Sequence, residues 1–172
     1  MNKTDNKIIL SASCVALTPN FNMIAHKTKN RFVSGRYFLN HLVDIDSSSR
    51  FYSLMYESCG NSSPCNIPIA GAFDFEAAFP SVIHEWIWLV LHHRKMPLDY
   101  TRVFQSFYKK TIATFEHNSD IHVLIRFLSG VLQGCPASAF LFNNAIDPFL
   151  ASFDKALRKR HAGIVRACAD DR

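Results

Sequence analysis

The sequence has few of the signals that mark secreted, membrane-spanning or zinc-binding proteins. The chain has five cysteines, which is an odd number, and no two of them form a Cys-x-x-Cys motif. No signal peptide opens the chain. This pattern favours free thiols in a reducing compartment over a disulfide framework. No apolar run approaches the roughly 18 residues of a transmembrane helix, so we expect no membrane partner. Zinc is not expected either, because Trp88 stands where the second histidine of an HExxH motif beginning at His84 belongs.

The composition indicates one globular domain, or part of one, with a mild excess of positive charge. Its 172 residues are 48% hydrophobic and 13% aromatic, which is enough to bury a core and excludes a disordered chain. Nineteen Lys and Arg against fourteen Asp and Glu give a formal net charge of +5. This excess favours a polyanionic partner such as nucleic acid, but it is not specific for one.

The stretch FDFEAAFPSVIH, residues 73–84, carries the first candidate site. The preceding IPIAGAF alternates as a strand does and puts Asp74 on the same face as Ala70 and Ala72. A carboxylate beside apolar residues costs free energy unless it is paired, and a divalent cation is one candidate partner. The residues alone leave a second interpretation open, in which Asp74 caps the helix that follows.

Apolar spacing predicts helices along most of the chain and one hairpin. Ile8, Ile9, Ala12, Val15 and Ala16 predict a first helix, which Pro19 would end. Thr111–Glu116 and Ile121–Phe127 alternate on either side of the polar turn HNSD and predict the hairpin. The other predicted helices cover residues 37–56, 82–93 and 99–108, an apolar run after Pro136, and a separate helix from Asp147 to Arg160.

Two later stretches carry polar candidates. In SGVLQGCPASAFLFN, residues 129–143, two glycines flank Gln133 and permit close approach of another backbone, so that Gln133 would reach a ligand. A plain strand-to-helix turn has the same composition. The apolar run IVRAC leads to Asp170 and Asp171, adjacent acids that repel each other unless a cation or solvent separates them. A solvated terminus is the alternative interpretation.

A basic segment lies between the first two predicted helices. Lys27, Lys29, Arg31 and Arg36 cluster around the sequence RFVSGR. Clustered cations of this kind either contact phosphates or lie on a solvated loop, and the residues do not distinguish the two.

In their order along the chain, these stretches resemble the palm of a reverse transcriptase, most closely the type carried by non-LTR (LINE-like) retrotransposons. In that family motif A reads roughly DFxxAFDSVxH, motif B GVxQGCPLSPxLFN and motif C YADD. This chain has DFEAAFPSVIH, GVLQGCPASAFLFN and CADD, and its RFVSGR is similar to the family's GFxPGR. The resemblance covers nearly the whole chain.

The resemblance implies an α+β fold in which a small antiparallel palm sheet is covered by helices. That sheet would carry Asp74 and the pair Asp170–Asp171. Residues 1–66 would be residual fingers and connecting helices, and residues 67–172 the palm with motifs A, B and C. The thumb, most of the fingers and the return strand of motif C have no counterpart, so the resemblance implies a fragment or degenerate copy that is inactive by itself.

The function implied by the resemblance is RNA-directed DNA polymerisation, with an RNA template, a DNA primer and dNTPs as partners. Two Mg²⁺ ions, with Mn²⁺ as an alternative, would be held by the carboxylates of Asp74 and Asp170, by Asp171 in support, and by the carbonyl of Phe75. A nuclear location is implied by the family alone, and the alternative function is a non-catalytic nucleic-acid-binding remnant that uses residues 27–36.

The resemblance also assigns roles in nucleotide and template binding. Phe79 matches the aromatic gate that excludes a 2′-hydroxyl, and Gln133 matches the motif B glutamine that contacts the incoming nucleotide or template. Arg31 and Arg36 would contact nucleic acid. The chain departs from the family where Pro80 replaces an aspartate, where Ala137 and Ala139 replace leucine and proline, and where Cys168 replaces an aromatic residue.

Overall fold

The computed structural model describes residues 3–24, 29–30, 38–58, 69, 71–109, 111–132 and 134–168. The described elements, in chain order, are α1 (Lys3–Ile24), β1 (Lys29–Asn30), α2 (Phe38–Ser58), α3 (Ala78–Ser81), α4 (His84–His93), α5 (Leu98–Tyr108), β2 (Ile112–His117), β3 (Asp120–Arg126), α6 (Ser138–Lys159) and β4 (Ala167–Cys168). No helix within these ranges is long and apolar enough to cross a membrane.

The core lies where α4, α5 and α6 pack together, with α1 against one side. Apolar side chains that recur at helical spacing converge there and are removed from water. The aromatic face predicted for residues 99–108 is buried in this core, which confirms that it is a packing face of α5. The innermost side chains are Ile87, Leu91, Phe104, Tyr108 and Leu141.

The first helix is longer than predicted. It continues past Pro19 to Ile24, so the predicted end at the proline is wrong. Its buried face carries Leu10 and Leu17, while Ile8 and Val15 are exposed. Both sets of residues have helical spacing, and contact of Leu10 and Leu17 with the core decides which face turns inward.

Two other helix boundaries also differ from expectation. Val82 and Ile83 are extended, so α4 begins at His84 and not at residue 82. The separate helix predicted from Asp147 does not exist, because α6 runs without interruption through Pro148. Burial of both halves of α6 against the core outweighs the hydrogen bond that the proline cannot donate.

The predicted hairpin is confirmed as β2 and β3, which pair antiparallel from Ile112 opposite Arg126 to His117 opposite Asp120. Asn118 and Ser119 form the two-residue turn with φ of 51° and 69°. Positive φ at both positions gives the backbone twist that joins adjacent antiparallel strands.

The α2 helix confirms the helix predicted for residues 37–56.

The predicted palm sheet is not formed by the described residues. Residues 71–75 are exposed and belong to no strand, so the strand expected to carry Asp74 is absent from this part of the chain. The two sheets in the described ranges are the β2–β3 hairpin and a parallel pair of β1 and β4. The described fold mixes helices with these small sheets and is compatible with the α+β class, and the division at residue 66 stays a prediction.

Candidate nucleotide-binding site

Asp74 lies in an exposed segment that leads into the short helix α3. Ala77 is the N-cap residue of α3, in the left-handed conformation with φ of 50°, and it has no side-chain cap hydrogen bond. The N-cap of α4 is Ile83, again without a side-chain cap. The interpretation of Asp74 as a helix cap is therefore wrong, and its carboxylate is accessible to a ligand.

Backbone hydrogen bonds join residues 79–84 to residues 128–131, and we call this contact the joint. The N–H of Val131 donates to the Phe79 carbonyl over 3.0 Å, that of Gly130 to Val82 over 2.7 Å, and that of His84 to Leu128 over 3.0 Å. An isolated antiparallel bridge pairs Ile83 with Ser129 within the joint. The structure thus brings the FDFEAAFPSVIH and GVLQGC stretches into direct contact.

The joint needs glycine at position 130. Gly130 has a φ of +91°, and a Cβ atom there would lie 3.1 Å from the Pro80 carbonyl oxygen and 3.2 Å from the Pro80 Cα. A side chain would therefore strain the backbone and press on the opposite segment. The expectation that this glycine permits close approach of another backbone is confirmed.

A side-chain hydrogen bond adds to the joint. The Nε2 atom of His84 lies 2.8 Å from the Gly130 carbonyl oxygen, which only accepts, so Nε2 carries a proton and donates. The ring is 8% exposed and packs edge-on to the Tyr108 ring, with centroids 5.1 Å apart. Sequence reasoning missed this role, because nothing local to residue 84 indicates an acceptor 46 positions away.

The two predicted site residues that follow Asp74 contact α6. The Phe79 ring stacks on Phe142, with centroids 4.4 Å apart and planes inclined by 16°. Phe75 meets Phe149 edge to face, with centroids 5.9 Å apart. Phe79 is half-buried and packs against the core. It therefore fills space beside α6, and its assignment as a sugar gate stays a prediction.

A buried ion pair fixes α4 against α6. Arg94 Nη2 donates to Asp147 Oδ2, and the two side chains are only 13% and 4% exposed. Arg94 Nη1 also donates to Asn144 Oδ1 over 3.1 Å, and Trp86 Nε1 donates to the Ala145 carbonyl over 2.9 Å. These polar contacts were not predicted, since each joins residues far apart in sequence. They hold the helices that follow the two halves of the joint.

The Tyr108 hydroxyl and the Cys14 thiol lie beside the turn that precedes α6. The Tyr108 hydroxyl lies 4.0 Å from Cys135 Sγ. Burial, and secondarily Cys135, raises the pKa of Tyr108 to about 12. Cys14 on α1 has its Sγ 3.9 Å from the Pro136 carbonyl oxygen. Burial raises the pKa of Cys14 to about 11, so both groups stay neutral near pH 7.

The remaining predicted site residues, Arg31, Arg36, Gln133, Asp170 and Asp171, lie outside the described residues. The described residues nearest to two of these segments are paired. β1 and β4 run parallel, with Lys29 opposite Ala167 and Asn30 opposite Cys168.

Asp74 and Phe75 are the predicted metal ligands that lie in the described part of the chain. Within the described ranges, no group of three or more His, Cys, Asp or Glu side chains is placed to hold a metal ion. The ligands expected from the resemblance are carboxylate and carbonyl oxygens, and Asp74 and Phe75 supply one of each in the accessible segment. Hard oxygens of this kind are what Mg²⁺ prefers, so the donor chemistry fits the ion.

Comparison with known proteins finds a similarity to a transposon protein. The transposon TX1 uncharacterized 149 kDa protein of Xenopus laevis is 26% identical to this chain over 162 residues. The match covers 94% of the chain and 11% of that protein. It supports a retrotransposon origin. No family model matches the chain. No solved structure matches it.

Proposed function

We propose that this chain is a segment of an RNA-directed DNA polymerase from a non-LTR retrotransposon and that it supplies the metal- and nucleotide-binding part of the active site. The observation that supports the proposal is the joint, which bonds residues 79–84, a few positions after Asp74 in the sequence, to residues 128–131, just before Gln133. A polymerase needs its metal carboxylate and its nucleotide contacts on neighbouring segments, and a folded joint between two distant motifs meets that need.

Each residue has a defined role in this proposal. Asp74, Asp170 and Asp171, with the carbonyl of Phe75, would hold two Mg²⁺ ions. When bound, these ions activate the primer hydroxyl and stabilise the charge that develops on the transferred phosphoryl group. Phe79 limits the space beside the sugar, and Gln133 contacts the incoming nucleotide. The expectation that the chain is inactive by itself stays a prediction, which primer extension with Mg²⁺ tests.

Asp74→Ala is expected to weaken Mg²⁺-dependent dNTP binding. We would measure binding of dTTP to the chain on a poly(rA)–oligo(dT) hybrid by calorimetry, with and without Mg²⁺. Loss of a metal carboxylate should weaken binding on the order of tenfold or more. Glu76→Ala is the matched control, because Glu76 is also an exposed carboxylate of this segment. Binding that ignores Mg²⁺, or an equal loss in both variants, would contradict the proposal.

Nucleic-acid binding should depend on the basic segment. The chain carries a net charge of +5, and Arg31 follows directly after β1 in the sequence. The double variant Arg31→Ala, Arg36→Ala is expected to weaken binding. On a duplex, it should also reduce the steepness of the slope of log K against log salt concentration by about 1.8. Fluorescence anisotropy over a salt series measures this slope.

Arg102→Ala provides the control for lost charge, because Arg102 is an exposed arginine on α5. An equal change of slope in this variant would show that residues 31 and 36 have no special role. Salt-dependent binding that coexists with an absence of Mg²⁺–dNTP binding would favour the alternative, a non-catalytic nucleic-acid-binding remnant.

A further inference from the structure

His84 makes two hydrogen bonds to the segment that leads into the turn after Gly130. It is the first residue of α4, and its backbone N–H donates to Leu128 while its ring donates to Gly130. The ring is held by Tyr108 at 5.1 Å and Trp88 at 6.4 Å between centroids, so its direction is fixed by packing. A rigid donor of this kind determines where the Gly130 carbonyl points.

The described residues of the turn beyond Gly130 are held by hydrogen bonds at two points, which we call its anchors. At the first anchor, Gly130 and Val131 donate their N–H groups to the opposite segment. At the second, the Leu132 carbonyl accepts from Ser138 Oγ and from the N–H of Cys135. Because the bond from His84 fixes the carbonyl at the first anchor, its loss should release the turn without unfolding the helices on either side.

We infer that His84 is a positioning residue: by donating from Nε2 to the Gly130 carbonyl, it orders the turn that starts at Gly130, beside which the nucleotide would bind. The inference rests on the proposed function for its ligand, a dNTP. His84 acts through the turn and not by its own contact with the nucleotide or the metal. It also links this turn to the Phe79 segment, since both belong to the joint.

Two substitutions separate the hydrogen bond from the packing. His84→Phe keeps an aromatic ring packed against Tyr108 and Trp88, but it leaves the Gly130 carbonyl without its side-chain donor. His84→Gln keeps an N–H donor of similar reach. Val90→Ala is the control for general destabilisation, because Val90 is buried in α4 and takes no part in the joint.

Amide hydrogen exchange tests the positioning directly and needs no activity. In His84→Phe, the amides of Gly130 and Val131 should exchange about fivefold faster relative to that of Leu141 in α6, which corresponds to one hydrogen bond. His84→Gln should restore the wild-type ratio, and Val90→Ala should leave it unchanged. An unchanged ratio in His84→Phe, or equal increases in all three variants, would overturn the inference.

Nucleotide binding tests the consequence for the ligand. The Kd of Mg²⁺–dTTP on the poly(rA)–oligo(dT) hybrid should rise about fivefold in His84→Phe and stay near the wild-type value in His84→Gln. A wild-type chain that does not bind Mg²⁺–dTTP would refute the proposed function, while the exchange ratio would still decide whether His84 orders the turn. Binding that is equal in wild type and His84→Phe would refute the positioning role alone.

Discussion

Asp147→Ala is expected to lower the free energy of unfolding by about 3–5 kcal/mol, because it leaves the Arg94 guanidinium buried without its carboxylate. Both side chains are largely removed from water, at 13% and 4% exposure, so solvent cannot replace the lost partner. Chemical denaturation of the purified chain, followed by tryptophan fluorescence, measures the change. Trp86 reports on the same helix contact through its bond to Ala145.

The chain contains its own control for this ion pair. Arg50 and Asp46 form an exposed pair one helical turn apart on α2, with side chains 77% and 61% exposed. Asp46→Ala should cost no more than about 0.5 kcal/mol, since water screens such a pair. The double variant Arg94→Met, Asp147→Leu should recover much of the loss, because it removes both buried charges. Similar costs for Asp46→Ala and Asp147→Ala would show that burial of the pair does not matter.

Phe79→Val is expected to lower the preference for dTTP over the ribonucleotide UTP by about tenfold or more, which is the size of effect that a single contact in a binding pocket produces. The smaller side chain opens space beside the sugar. The same change removes the ring that stacks on Phe142, with centroids 4.4 Å apart, and should cost about 1–3 kcal/mol of stability. Competition binding with the two nucleotides, on the hybrid and with Mg²⁺, gives the ratio.

Phe104→Leu is the control that distinguishes a sugar-gate role of Phe79 from a role in core packing. Phe104 is fully buried in α5 and takes no part in the joint, so its truncation should destabilise the chain while the dTTP-to-UTP ratio stays as in wild type. If Phe79→Val changes stability without changing the ratio, Phe79 is a packing residue and the gate assignment is wrong.

Local pattern was enough to predict the features that depend on neighbouring residues. The hairpin followed from alternation on either side of HNSD, and its turn has the positive φ values that such a short connection requires. The aromatic face of α5 was predicted as core because its spacing repeats every helical turn. The close approach at Gly130 was predicted from the glycine itself and is confirmed by its contact with Pro80.

Features that depend on distant residues could not be predicted in the same way. The apolar spacing predicted the helix α1 but not its buried face, which is set by packing of Leu10 and Leu17 against the core. Proline signals predicted breaks that burial overrides in α6. The partners of Arg94 and His84 lie on other elements, so neither contact leaves a mark in local sequence. The strand expected around Asp74 needs a partner strand, and the described residues provide none.

The uninterrupted course of α6 has a mechanical consequence. A helix of 22 residues is about 33 Å long and behaves as a stiff rod. One end begins at Ser138, whose Oγ bonds the Leu132 carbonyl, and the chain leaves the other end toward β4. A helix broken at Pro148 would let these ends move independently. Because the helix is continuous and the Arg94–Asp147 pair holds it near its middle, the distance between its two ends is fixed.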